Sequence, residues 1–65
     1  MEIIPENSIK QVLDIDQDLR EIFENFGVNV DEHFDATMVE ISQSRLIPIK
    51  ILIEDLNYVV QNKLN

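Results

Sequence analysis

The chain contains no cysteine. Without a thiolate there is no disulfide framework, no cysteine-ligated zinc and no thiol redox centre. Glycine occurs once, as Gly27, so a glycine-rich loop that cradles phosphate is excluded too. Cations are scarce. Five Lys and Arg stand against thirteen Asp and Glu, a formal net charge of −8. That sign repels a nucleic acid backbone, which is bound through clustered Lys and Arg, and it repels anionic membrane surfaces. A basic protein or a cation remains compatible with it. No apolar run approaches the roughly 20 residues of a membrane-spanning helix. The N-terminus shows no basic stretch leading into an apolar core, as a secretory signal would. The expected location is cytoplasmic.

Apolar residues are plentiful. They make up 45% of the 65 residues, enough to build a core and too many for a disordered chain. The length predicts one small domain over residues 1–65, marginally stable by itself. There are no internal repeats and no low-complexity tracts.

The periodicity is helical throughout. Met1 to Pro5 predicts a short extended arm, with Ile3 or Ile4 tucked inward and a bend at Pro5. Ser8-Ile9-Lys10-Gln11 fits a capping box, and Ile9, Val12 and Leu13 line one face of a first helix over residues 8–14. Asp14, Asp16 and Asp18 alternate as calcium ligands do. The positions that an EF-hand loop gives to Gly and Glu hold Leu19 and Asn25 instead, which excludes that motif. Asp16 is expected to cap a second helix over residues 17–26, whose face is Leu19, Ile22, Phe23 and Phe26. Gly27 ends that period and predicts a left-handed stop, with Val28 folding back. Thr37-Met38-Val39-Glu40 is a second capping box. It opens a helix over residues 38–45, with Met38, Ile41 and Leu46 expected in the core. A last helix over residues 48–62 starts at Pro48. Its core face is Ile49, Leu52, Ile53, Leu56, Val59 and Val60. The predicted fold class is all-α: a compact array of four short helices with an extended N-terminal arm.

This layout resembles the small helical domain at the N-terminus of the iron–sulfur cluster repair di-iron proteins. It is similar also to the redox-disulfide domain associated with hybrid cluster protein. The residues that carry the resemblance are Ile4, Ser8-Ile9, Phe23-Glu24-Asn25-Phe26-Gly27-Val28, Thr37-Met38-Val39-Glu40 and Leu56-Asn57. The resemblance covers about residues 3 to 60. The resemblance implies a helical fold. It also implies a cysteine pair just after the glycine. In one pattern the pair falls on Asp31 and Glu32, in the other on Val30 and His33. Neither leaves a sulfur, so the families' redox chemistry does not carry over to this chain.

Two sets of residues stand as candidate sites. Asp31, Glu32, His33 and Asp35 are all metal-ligand types, suited to zinc, manganese or iron. Neighbours on one loop rarely converge on one centre, and structural metal sites draw ligands from separated elements. No metal and no other cofactor is therefore expected, with a metal-sensing loop as the alternative. No nucleophile has a neighbouring base, and a domain this small has little room for a pocket that separates two pKa values, so catalysis is not expected. The second set is Ile51, Tyr58 and Ile47, apolar residues off the core face of the last helix. Either the first helix and the N-terminal arm cover them, or they form a surface for a protein partner or a weak homodimer.

Overall fold

Four helices follow one another: α1 (Ile9–Ile15), α2 (Leu19–Asn25), α3 (Met38–Arg45) and α4 (Ile49–Leu64). The computed structural model describes residues 2–64, so the Met1 end of the predicted arm lies outside the described residues. The all-α class holds, and no strand longer than one bridge occurs among the described residues.

Both capping boxes form. Ser8 Oγ accepts the Gln11 N–H at 3.2 Å, and Gln11 Oε1 accepts the Ser8 N–H at 3.0 Å. Thr37 Oγ1 accepts the Glu40 N–H at 3.2 Å, and Glu40 Oε1 accepts the Thr37 N–H at 3.0 Å. The two caps also meet each other, as an isolated antiparallel bridge between Ser8 and Thr37. Around it the bonding is reciprocal. Ile9 and Lys10 donate their amides to the carbonyls of Ala36 and Phe34, at 2.9 and 3.0 Å. Met38 and Val39 donate theirs to Asn7 and Pro5, at 2.9 and 3.2 Å. Each helix start thus satisfies its remaining orphan amides on the segment that precedes the other helix. The two segments share no residue identity, so nothing in the sequence reads as a repeat.

Two helices end in the left-handed conformation. Gly27 has φ +80°. Val28 N–H reaches back to the Phe23 carbonyl and Gly27 N–H to that of Glu24, both at 2.9 Å, the paired bonds of a Schellman stop. After α3 the same place is held by Leu46, at φ +56°. Ile47 N–H returns to the Ser42 carbonyl at 2.9 Å. Leu46 is 90% exposed, not buried as its apolar character suggested. The next residue, Ile47, packs against the core instead. Turning the chain within one residue of α3, so that Ile47 faces inward, forces Leu46 outward.

The second helix is shorter than its periodicity predicted, and Asp16 is not its N-cap. That position belongs to Asp18, whose side chain makes no cap bond. Asp16 lies two residues earlier, where its carboxylate accepts the Asp18 N–H at 2.9 Å. The carbonyls of residues 16–18 then take the amides three residues on, all at 3.2 Å, so the first turn is tighter than α. Pro48 likewise stands just before α4, its carbonyl accepting the Leu52 N–H at 3.1 Å.

The core gathers around α4, which packs on α3 and α2, while α1 packs on α2. Leu52 and Leu56 of α4, Phe23 and Leu19 of α2, Ile9 and Val12 of α1, and Met38 of α3 are fully buried. Ile22, Phe26, Ile49, Ile53 and Val59 are half-buried at its margin. The arm is pinned by one side chain. Buried Asn57 accepts the Ile3 N–H at 2.7 Å and donates to the Ile3 carbonyl at 2.9 Å, as a neighbouring strand would. The radius of gyration is 10.5 Å, about what a single packed unit of this length has. No helix among the described residues is long and apolar enough to cross a membrane.

Candidate functional site

The loop from Asn29 to Ala36 is built as a structural link. Val28 and Val30 are buried and anchor its start. Asn29 Oδ1 accepts the Asp31 N–H at 3.1 Å, and successive turns follow through Glu32, His33 and Ala36. Its far end supplies the Phe34 and Ala36 carbonyls that the start of α1 uses. Asp31, Glu32, His33 and Asp35 are all exposed. Asp31 faces the Arg20 guanidinium at 3.4 Å, an exposed contact that contributes little. Among the described residues no group of three or more His, Asp or Glu side chains is placed to hold one metal ion. The loop presents its ligand types outward and keeps its backbone for the fold.

The second candidate set divides. Ile51 and Tyr58 are 48% and 69% exposed, so neither α1 nor the arm covers them. They lie one heptad apart on the outer face of α4, and the residues between them on that face are Glu54 and Asp55, both exposed. Ile47 is half-buried at the turn between α3 and α4. There it lines an open hollow with Pro5, Val39, Leu46, Pro48 and Ile49, and no ionisable side chain contributes to the lining. Leu46 stands at its edge and Val39 is also partly exposed.

No family model, no curated protein and no solved structure matches the chain. What the surface can do is therefore read from its own residues.

The largest of the described concavities lies elsewhere, between the arm, α1 and the end of α4. It is a groove of about 740 Å³. Ile4, Ile15 and Val60 form its apolar part, and Glu2, Asp14 and Asp16 stand on its rim. Lys63 closes one end. Its ammonium lies 3.2 Å from Asp16 and in direct contact with the carboxylate of Asp18. The Asp18 N–H, and after it the Lys63 ammonium, hold the Asp16 carboxyl below the ordinary carboxylate range. The Asp18 and Asp16 carboxylates in turn raise Lys63.

Sequence reasoning missed Leu46, Val39 and the groove. A signal for Leu46 existed. The run Ser44-Arg45-Leu46-Ile47-Pro48 stops one helix and starts another within a few residues and without a glycine, and a left-handed residue is one common way to make so short a stop. The groove had no such signal. Its walls come from residues up to six decades of numbering apart, and only the packing brings them together.

Proposed function

We propose that this chain is a non-catalytic protein-interaction domain, and that the hollow at the α3–α4 turn is a contact surface. The observation that carries this is Leu46. A leucine at positive φ costs about 1 kcal/mol of backbone energy. An exposed leucine also forgoes about 2 kcal/mol that burial would contribute. Folding does not use the side chain, so its value lies in what it presents: an apolar knob beside an uncharged hollow. Backbone outliers of this kind concentrate where a surface has work beyond stability.

The first partner to test is a second copy. At a net charge of −8 two copies repel over most approaches, and a face without ionisable lining is where that repulsion is least. The outer face of α4 suits self-contact less well, because an antiparallel pairing of Ile51 with Tyr58 sets Glu54 and Asp55 against their own copies. The buried polar side chains among the described residues are Ser42 and Asn57, and both are committed to backbone bonds. On this reading the chain is a cysteine-free relative of the iron–sulfur-associated domains it resembles, keeping their helical frame without the redox pair.

Sedimentation of wild type and Leu46→Ser tests the reading. Wild type is expected to dimerise weakly, with a dissociation constant of about 0.5 mM, and more tightly in high salt, which screens the repulsion. Leu46→Ser is expected to stay monomeric and fully folded. A wild type that remains monomeric at millimolar concentration in high salt, or a variant that dimerises equally well, rejects this surface.

A further inference from the structure

We infer that the groove between the N-terminal arm, α1 and the end of α4 is a docking site for a basic protein segment that carries large apolar side chains. The inference shares with the preceding section only the premise that the chain binds protein. It uses a different face and a different partner, so either can fail while the other stands.

Three features point to that occupant. The first is shape: among the described concavities this one has the largest volume, and its walls come from three elements. The second is its chemistry. Ile4 lies 45% exposed at its edge, beside Ile15 and Val60, so an entering side chain meets hydrocarbon. Around that floor stand Glu2, Asp14 and Asp16. Among the described residues Glu2 and Asp14 make no ion pair. An apolar floor with an acidic rim complements a segment of alternating Lys or Arg and apolar residues. The third is Lys63. This lysine of the chain itself already sits at the groove's end on Asp16, and so shows the contact that this acid of the rim favours.

The groove is also preformed. Asn57 holds Ile3 from the inner side. Asn7 Oδ1 accepts the Ile4 N–H at 2.9 Å, and Asn7 N–H returns to the Ile4 carbonyl at 3.0 Å. Ile4 is thus placed before anything binds, and ordering it adds no cost at the moment of association. The chain's acidity supplies attraction at long range. The groove supplies the reason for a basic segment to stop at this place.

The probe is a fluorescent peptide of about 12 residues, with leucine at every third or fourth position and lysine between. We expect saturable binding to the intact chain with a dissociation constant below about 100 μM. Amide shifts should concentrate at Ile4, Asp14, Ile15 and Val60. Glu2→Lys with Asp14→Lys should weaken binding about tenfold or more. Glu54→Lys with Asp55→Lys makes the same charge change on the outer face of α4, and should weaken it less than about threefold. Ile4→Ser should also cost about tenfold, at unchanged charge. Equal losses from the two charge variants would mean that net charge alone attracts the peptide, and would overturn the site. Shifts centred on Leu46 and Val39, or no saturation at about 1 mM, would overturn it as well. Should Ile4→Ser unfold, the two charge variants still decide the matter.

Discussion

Gly27 and Leu46 occupy the same conformational position at the ends of two helices, with φ +80° and +56°. One residue type suits that place and the other does not, so opposite substitutions should have opposite effects. A Cβ at Gly27 would meet only the Arg45 guanidinium, at 4.0 Å, so the cost of a side chain there is conformational and not steric. Gly27→Val is expected to destabilise by about 1 kcal/mol or more. Leu46→Gly is expected to stabilise by up to about 1 kcal/mol, because it removes the left-handed penalty and gives up almost no buried contact. Urea denaturation of the two variants checks both. A Leu46→Gly variant less stable than wild type would mean that the leucine contributes to the fold, and would remove the ground for reading it as a contact residue.

Helix starts are the elements that hold this chain together. A seven-residue helix such as α1 is too short to persist by its own propensity. Its first amides are satisfied by its own capping box and by the loop before α3, while α3 leans on the segment before α1. Ser8→Ala and Thr37→Ala should each cost about 1 kcal/mol. Because the two caps share one bridge, losing the first loosens the second. The double variant is expected to lose less than the sum, by about 0.5 kcal/mol. Strict additivity within about 0.3 kcal/mol would show that the caps act separately and that the bridge is only proximity. The same bonding explains the acidic loop. Its Phe34 and Ala36 carbonyls are parts of the α1 start, so the loop's place is set by helix capping, and its acids are left pointing into water.

At the scale of the whole molecule, the ion cluster of Lys63 with Asp16 and Asp18 joins the residues farthest apart in sequence of any ion pair among the described residues. It fastens the end of α4 to the α1–α2 turn. Asp16 is held below its ordinary range, so its contribution is present above the unfolded carboxyl value and is lost as pH falls through the folded one. Lys63 is held above its ordinary range, so its contribution is complete below the unfolded ammonium value and is lost as pH rises through the folded one. Lys63→Met should therefore lower the thermal midpoint at neutral pH. The gap to wild type should close below about pH 4 and again above about pH 10.5. A gap that persists unchanged at low pH would assign the loss to packing of the lysine stem and not to its charge.

Local chemistry by itself determined the four helices, both capping boxes, the glycine stop and most of the core. Each of these depends on residues within about one helical turn of one another, which a periodicity or a cap motif reports directly. The start of the third helix, Met38–Arg45, is legible in Thr37 and Glu40, which form its capping box. What only the tertiary structure decided are the relations over long separations. These are the pairing of the Ser8 and Thr37 caps, the Asn57 clamp on Ile3, the ion cluster at Lys63, and the exposure of Leu46 in place of Ile47. Asp16 shows the reason in one side chain. Its sequence context offers it the amides of the next helix, and it takes instead the N–H of Asp18, the residue that precedes that helix. The position of Lys63, far along the chain, determined where the rest of its charge would be used. Both proposed contact surfaces belong to this second group. A hollow or a groove exists only between elements, and no stretch of sequence contains one.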